Sequence, residues 1–180
     1  MTRTNVDPLT DWKGFFKEIQ NESPRAAVII ASAFLDAQLR NLLSKYFVGD
    51  PDVVDELLGT EKGPDRPLSS FSSRIKAAYC LGLISKNTYQ DLKTVRKIRN
   101  KFAHKLHGYT FDEPEIISWC KSLNSAKIIT DAIPKFPNTH QNMFLLGVTQ
   151  LASWIALNTL KIDRLQRPAA KDPELVEVVD

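Results

Sequence analysis

Apolar residues recur every three or four positions along most of the chain, and almost no stretch alternates as a strand would. The clearest helix begins at Ser23-Pro24, because serine is a favoured N-cap and proline suits the first helical position. Gly49-Asp50-Pro51 ends it. The apolar positions between these signals have helical spacing and predict a buried face formed by Ile29, Leu35, Leu39, Leu42, Leu43 and Phe47.

The sequence before and after this helix predicts further helices separated by clear breaks. Residues 9–20 are predicted to form a short amphipathic helix, and the connection over residues 48–67 is predicted to contain one helical turn at "DVVDELL". A helix starts near Leu68 and is broken by Gly82. Ser85 then caps the helix that contains "RKIRNKFAH", residues 96–104.

The C-terminal half predicts two more helices and a tail. One helix starts near Pro114, and Pro134 and Pro137 interrupt the pattern after it. The stretch "THQNMFLLGVTQLASWIALNTLKIDRL" is apolar around much of its circumference and is expected at the centre of a bundle. Together the elements predict an all-α, single-domain bundle of five or six main helices over residues 1–165, with residues 166–180 as a flexible tail.

The composition is that of a soluble globular protein, and the lack of an export signal predicts a cytoplasmic location. The 180 residues are 43% hydrophobic and 25% charged, which is ordinary for a soluble domain. No window approaches the roughly 20 consecutive apolar residues of a membrane span, and the N-terminus has no apolar signal segment. Cys80 and Cys120 are expected to be buried free thiols. Without histidines at ligand spacing they predict no metal site, and no cofactor is expected.

Charge is distributed unevenly, although the net charge is only +3. From Arg74 to Lys105 the chain has nine cations and one anion, Asp91, so this segment carries +8 and the rest carries −5. Much of the acid lies between Gly49 and Asp65. A basic third and an acidic loop are compatible with binding a polyanion, with pairing between the two parts, or with a solvated helix face.

Arg99 is the most informative residue of the basic stretch. It falls inside the apolar seam of its helix, and a buried guanidinium needs a partner, because breaking a buried ion pair costs roughly 3–5 kcal/mol. Asp36, which borders an apolar helix face, is the predicted partner. The residues that define the seam, and are predicted to be buried, are Leu92, Val95, Phe102 and Ala103.

The residues around Arg99 predict a compact polar cluster at the helix end. Asn100 and His104 are four residues apart and share one flank of the helix. On the earlier long helix, Arg40 is the i,i+4 neighbour of Asp36. The structural interpretation is a satisfied buried network that fixes helix packing, with the members Asp36, Arg40, Arg99, Asn100 and His104.

Two family resemblances involve these residues. "Arg99-Asn100-x-x-x-His104" matches the R-x4-6-H motif of the HEPN superfamily of helical bundles. "PLSSFSSRIKAAYCLGLIS", "YQDLKTVRKIRNKFAH" and the earlier "FLDAQLRNLL" resemble the bacterial mannitol operon repressor family over about residues 20–125. That resemblance implies an all-α transcriptional regulator acting through a protein partner. HEPN-like bundles often pair, which leaves a homodimer open.

The HEPN motif raises a metal-independent ribonuclease as an alternative function. Arg99 would stabilise the developing phosphorane charge, His104 would act as acid or base, and Asn100 would orient the phosphate. The predicted burial of Arg99 favours the structural interpretation, so no catalytic residue is expected.

Direct operator binding is a second alternative. "Ala78-x-x-x-Gly82" followed by "LISKNTYQDLKTVRK" faintly resembles a helix-turn-helix, but the second helix is too long and its inner face is committed to the core. Exposed cations could still contact phosphates weakly and without reading sequence, and serines at a helix start could bind an anion or simply cap the helix. The candidate contacts are Ser69, Ser70, Arg74, Lys76, Lys93, Arg96, Lys97 and Lys101.

An interaction module is the preferred function, because it needs neither a catalytic residue nor a groove-reading helix. The acidic loop over residues 50–65 and the basic helices are its candidate contact surfaces. Trp12, Trp119 and Trp154 are expected in the core and not in a base-stacking platform.

Overall fold

The computed structural model describes residues 19, 21–59, 66–105, 108–132, 139–162 and 168–169. These residues form seven α-helices and no strand, so the predicted all-α fold is confirmed. In chain order the helices are α1 (Pro24–Tyr46), α2 (Pro51–Leu58), α3 (Phe71–Cys80), α4 (Lys86–His104), α5 (Pro114–Ser122), α6 (Asn124–Ala132) and α7 (His140–Ile162).

The helices α1 and α4 begin where the sequence predicts. Ser23 Oγ accepts a hydrogen bond from the Ala26 N–H at 3.3 Å, and Ser85 Oγ accepts one from the Thr88 N–H at 3.2 Å. Each serine therefore satisfies a backbone donor that has no partner inside its helix.

The helix α3 begins three residues later than predicted because Ser70 caps it. Ser70 Oγ accepts from the Ser73 N–H at 3.1 Å, and Ser73 Oγ accepts from the Ser70 N–H at 3.3 Å, which is a reciprocal capping box. The helix ends at Cys80. Gly82 follows with φ +71°, a left-handed conformation that glycine adopts without strain.

Two segments differ from their predicted form. The single turn predicted at "DVVDELL" is the two-turn helix α2, with Asp50 as its N-cap. The single helix predicted from Pro114 is two helices, α5 and α6, separated by the extended backbone of Leu123. The predicted helix over residues 9–20 lies outside the described residues, except for the buried Ile19. So does the predicted tail, except for residues 168–169.

The helices α1 and α7 form the centre of the bundle. α1 packs against α7, α4, α3 and α2, and α7 also packs against α6, α5 and α4. The predicted buried face of α1 is largely confirmed, with two exceptions: Ile29 is 38% exposed, and Phe47, beyond the helix end, is half-buried. Its fully buried members are Leu35, Leu39, Leu42 and Leu43.

By length and composition alone, α1 and α7 could each cross a membrane. Core helices of soluble proteins meet the same criterion, and both helices belong to the core here. Asp36 and Arg40 of α1 also form ion pairs with neighbouring elements of the bundle. These features favour a core role for both helices.

The two cysteines lie in different environments. Cys120 is buried as predicted, and burial raises the pKa of its thiol to about 12. Cys80, at the end of α3, is exposed, so the prediction of its burial is wrong. Both are free. Trp119 and Trp154 pack against the core as predicted, and Trp12 lies outside the described residues.

Candidate functional site: the basic helix α4

Helix α4 turns one apolar face towards the core. Arg99, predicted to lie on this face, lies beside it, because Ile98 occupies the inward position. Ala103, predicted to be buried, is exposed. The inward residues, all fully buried, are Leu92, Val95, Ile98 and Phe102.

The opposite face of α4 presents a lysine stripe, formed by Lys86, Lys93 and Lys97. All three side chains are exposed. Their spacing of seven and four residues places them on one side of the helix, with the exposed Gln90 and His104 in the same row. The stripe is therefore a solvent-facing positive surface.

An aromatic pair supports the stripe near its N-terminal half. Lys93 Nζ lies 5.2 Å from the ring centroid of Tyr89, a cation–π distance. The Tyr89 ring in turn stacks on Tyr79 of α3, with centroids 4.5 Å apart. The ammonium group of Lys93 therefore lies beside two stacked tyrosine rings.

The one acidic residue of α4, Asp91, points away from the stripe. Asp91 is only 2% exposed, and its carboxylate accepts from the Asn124 N–H at 3.1 Å, Asn124 Nδ2 at 3.0 Å and the Ser125 N–H at 2.7 Å. It therefore caps the start of α6 from a different helix. As a result, no carboxylate of α4 balances the stripe.

Sequence reasoning counted Asp91 as a charge and missed its structural role. The available signal was its position one residue before Leu92 and four before Val95, on the apolar face of an otherwise basic helix. An acid on such a face needs buried donors.

The predicted pairing of Asp36 with Arg99 is wrong, because Asp36 pairs with a different arginine. Asp36 Oδ1 accepts from Arg74 Nη1 at 2.8 Å. Arg99 is half-buried and its Nη1 donates to Asn100 Oδ1 at 3.0 Å, but its charge still acts on the Asp36 carboxyl. Because the apolar seam passes through Ile98, Arg99 is rotated away from the site where a buried partner would be required.

Among the arginines that the structure describes, Arg74 is the buried one, with its side chain 9% exposed. Besides Asp36, its Nε donates to the Leu68 carbonyl at 2.9 Å and its Nη2 to the Leu58 carbonyl at 3.0 Å. The guanidinium thereby links α1 and the end of α2 to the segment before α3. These partners leave Arg74 unavailable to an external anion.

The serines before α3 are also occupied within the fold. Ser70 forms the capping box with Ser73, and Ser69 Oγ donates to the Arg66 carbonyl at 2.8 Å. These contacts support the interpretation of Ser70 as a helix cap over the alternative of an anion site at Ser69, Ser70 and Arg74, because each of the three side chains has a partner within the fold.

The predicted five-residue polar network does not form as one unit. Arg40 pairs instead with Asp55 of α2 at 2.7 Å and donates to the Gly59 carbonyl at 3.1 Å. His104 is exposed at the end of α4. Arg99 and Asn100 bond to each other, and Asp36 pairs with Arg74, so the five residues divide among four separate places.

The remaining predicted contacts have mixed surroundings. Lys76 is exposed on α3, and Arg96 is half-buried with its Nε enclosed. Lys101 Nζ lies 2.9 Å from Glu115 Oε2, and Tyr109 donates to Glu115 Oε1 at 2.6 Å. These two hydrogen bonds, the one from Tyr109 first, hold the pKa of Glu115 below its ordinary value.

Within the parts of the chain that the structure describes, no group of three histidine, cysteine or acidic side chains could hold a metal ion. The most distinctive charged feature among these residues is the lysine stripe. Chemically, such a surface attracts an anionic partner without requiring a buried ligand.

Comparisons with known proteins agree on one family. A family model described as mannitol repressor matches residues 17–161. The mannitol operon repressor of Escherichia coli strain K12 is 23% identical over 147 residues, which cover 74% of this chain and 75% of that protein.

Two solved structures share the fold. One chain of the X-ray structure of the MtlR–HPr complex from Escherichia coli aligns with a TM-score of 0.63 at 21% identity, covering 81% of this chain and 98% of that one. YggD, described as a possible transcriptional regulator from Shigella flexneri 2a strain 2457T, aligns with a TM-score of 0.64 at 16% identity. This alignment covers 82% of this chain and 99% of YggD.

Proposed function

Since this chain belongs to the mannitol repressor family, we propose that it regulates transcription by binding a protein partner through the lysine stripe of α4. The family and the Escherichia coli relative are named as repressors, YggD is described as a possible transcriptional regulator, and none of the three bears the name of an enzyme. A protein of this fold has been solved in a complex with HPr, so HPr is the first partner to test.

The observation that carries the proposal is the separation of charge on α4. Lys86, Lys93 and Lys97 face solvent, while Asp91 is buried beneath them as a cap for α6. A surface of one sign favours encounter with a surface of the opposite sign and selects against like-charged proteins. The partner surface that fits the stripe is therefore acidic.

Direct sequence-specific DNA binding has less support. A recognition helix must enter the major groove with side chains free to reach the bases. The inner face of α4 is fully buried, and the outer face offers mainly lysines, which suit phosphate contacts that carry no sequence information. Weak, nonspecific contact of these lysines with nucleic acid is a secondary proposal, after protein binding.

A ribonuclease at Arg99, Asn100 and His104 also has less support. The spacing of Arg99 and His104 is that of the motif, but the surroundings of the two side chains differ. Arg99 donates to Asn100, and His104 lies exposed beyond the last buried turn. The catalytic alternative needs the arginine and histidine to meet at one phosphate.

We also propose a location, domain bounds and an oligomeric state for the regulator. The protein acts in the cytoplasm, without a membrane. Residues 1–165 form the regulatory domain and residues 166–180 a tail. A homodimer is compatible with these features, because a partner on α4 leaves most other helix faces uncovered.

Calorimetric titration of the full chain with purified HPr tests the proposal. We expect wild type to bind, and Lys97→Glu to weaken binding about tenfold, equivalent to about 1.4 kcal/mol. Lys121→Glu, which changes an exposed lysine of α5 by the same charge, is the matched control and should bind like wild type. Raising the salt concentration should weaken wild-type binding more than that of Lys97→Glu.

The outcomes separate the partner from the surface. Wild type that fails to bind HPr would contradict the proposed partner. Equal binding by wild type and Lys97→Glu would retain the partner but reject the lysine stripe as the contact.

A further inference from the structure

The outer surface of α3 and α4 carries a pair of tyrosine rings in contact with the lysine stripe. The two helices pack against each other, and the ring of Tyr79 on α3 stacks on the ring of Tyr89 on α4, with centroids 4.5 Å apart and planes 23° apart. Lys93 Nζ lies 5.2 Å from the centroid of the Tyr89 ring. Direct contacts between side chains therefore connect the stripe on α4 to Tyr79 on α3.

The two rings differ in their exposure. Tyr89 is half-buried and packs against the hydrophobic core, whereas Tyr79 is 37% exposed. The outer ring thus rests on an inner ring that the core holds in place. A side chain fixed in this way loses little conformational freedom when a partner covers it, and tyrosine is enriched among the residues that contribute most to the affinity of protein interfaces.

Lysines flank the rings, and neither helix adds an exposed carboxylate. Lys76 of α3 lies one turn before Tyr79 and is exposed, and Lys86 of α4 lies one turn before Tyr89 and is also exposed. α3 contains no acidic residue, and the only one of α4, Asp91, is 2% exposed and bonded to the start of α6. The positive charge of the stripe therefore continues onto α3, around an exposed aromatic ring.

We propose that Tyr79 and Lys76 extend the partner surface from the lysine stripe onto α3, with the Tyr79 ring as its apolar centre. The partner that fits this surface presents an apolar side chain to the ring and carboxylates to Lys76 and Lys93. This inference deepens the proposed function and rests on it, since the occupant is the acidic protein partner of the stripe.

Single-stranded nucleic acid is the other class of ligand that combines stacking on aromatic rings with contacts to cations. A protein is favoured as the occupant because a protein of this fold has been solved in a complex with HPr. The experiment therefore uses HPr as the probe and a poly-dT oligonucleotide as the comparison.

Calorimetric titration of the full chain with purified HPr tests the aromatic centre. Tyr79→Ala should weaken binding by about tenfold or more, because it removes the ring that the partner covers. Tyr79→Phe retains the ring and should stay within about threefold of wild type. Val53→Ala, which truncates a 55% exposed apolar side chain of α2, is the control and should bind like wild type. Thermal unfolding shows whether each variant is folded at the temperature of the titration.

Lys76→Glu tests the extension onto α3 without removing the ring. Because the Lys76 side chain is exposed, this variant should remain folded. It should weaken HPr binding by about tenfold and reduce the dependence of binding on salt. Lys121→Glu, on α5, makes the same change of charge and should alter neither quantity. If Tyr79→Ala does not fold, the comparison of these two lysine variants decides.

The possible results distinguish this inference from the proposed function. HPr binding that Lys97→Glu weakens, and that Tyr79→Ala and Lys76→Glu leave unchanged, would overturn the extension onto α3 and retain the lysine stripe as the contact. Wild type that does not bind HPr would count against both. Binding of poly-dT that Tyr79→Ala weakens, with HPr binding unchanged, would make single-stranded nucleic acid the ligand of the ring and reject the inference.

Discussion

Asp36 is bonded to Arg74 and not to Arg99, although both arginines act on its charge. The surroundings of Arg74 explain the choice. Its other guanidinium nitrogens donate to the carbonyls of Leu58 and Leu68. These two hydrogen bonds fix the orientation of the planar group, so that its Nη1 points at the Asp36 carboxylate. Arg99 has only a neighbouring amide and partial access to water. At the scale of the residue, the buried latch is therefore the Asp36–Arg74 pair.

The first prediction concerns the cost of breaking this latch. Arg74→Ala should lower the free energy of unfolding by about 3 kcal/mol, because it leaves a largely buried carboxylate and two carbonyls without their donor. Arg99→Ala should cost about 1 kcal/mol or less, since Arg99 is half-buried and its bond is to a neutral amide. Urea unfolding of both variants beside wild type measures the difference. A larger loss for Arg99→Ala would contradict the assignment.

The second prediction concerns the pH dependence of Asp36. Burial raises the pKa of its carboxyl above the ordinary value of 3.8, against the lowering effects of the Arg74 hydrogen bond and the charges of Arg74 and Arg99. The folded state then binds a proton at a higher pH than the unfolded state does. The contribution of Asp36 to stability should therefore rise as the pH falls through the folded pKa towards 3.8.

The test compares wild type with Asp36→Asn, which cannot titrate at this position. The stability of wild type relative to Asp36→Asn should increase between pH 6 and about pH 4. Chemical unfolding at several pH values measures it. A relative stability that falls with acidification would mean that Arg74 dominates and that the carboxyl pKa is lowered instead.

At the scale of the element, α6 depends on a residue of another helix. The apolar pattern through "EIISWCKSLNSAKII" predicted one helix, but the backbone is extended at Leu123 and α6 starts again at Asn124. The buried carboxylate of Asp91 satisfies the first donors of α6, so the break is stabilised by α4. The same contact removes the only negative charge of α4 from its outer face.

The third prediction follows from this cap. Asp91→Ala should lower the free energy of unfolding by about 2–3 kcal/mol, because it removes a charged cap and leaves buried backbone donors unsatisfied. Glu56→Ala, at an exposed site on α2, should change stability by about 0.5 kcal/mol or less. Thermal unfolding measures both. If the two variants unfold alike, Asp91 does not hold α6.

At the scale of the whole molecule, function depends on which faces of the bundle remain free. The core takes the inner face of α4 and much of α1 and α7, and leaves the lysine stripe at the surface. Such an arrangement favours binding to another folded protein over reading of base edges, because the exposed cations lie along one helix face and not at a groove-reading tip.

The fourth prediction concerns DNA. The isolated protein should bind duplex DNA weakly, with little preference for sequence, and lose that binding as salt rises from 50 to about 200 mM. Electrophoretic mobility shifts with an operator fragment and a scrambled fragment, at both salt concentrations, measure this. Nanomolar binding to the operator alone at the higher salt would restore the helix-turn-helix interpretation.

The fifth prediction concerns RNA. Wild type should not cleave single-stranded RNA in the presence of a chelator, since Arg99 donates to Asn100 and His104 lies exposed at the end of α4. His104→Ala should remain folded, with a stability change within about 0.5 kcal/mol, because His104 is exposed. Cleavage by wild type that resists chelator and is lost in folded His104→Ala would establish the catalytic alternative.

The features that the sequence by itself determined are local ones. Ser23 and Ser85 as caps, Gly82 as a break and the buried leucines of α1 all depend on residues within a turn or two of each other, so their pattern is readable in one dimension. The all-α class and the resemblance to the mannitol repressor family follow from the same local patterns.

Only the tertiary structure decided the partners that lie far apart in the chain. Asp36 meets an arginine 38 residues away, and Asp91 caps a helix 33 residues away. Successive side chains on α4 point about 100° apart around the helix axis, and this difference separates the inward Ile98 from the flanking Arg99. Helical periodicity does not resolve the rotation of the helix about its axis, because that rotation depends on how the helices pack. Packing also supplied the donors at the start of α6 that the inward carboxylate of Asp91 meets.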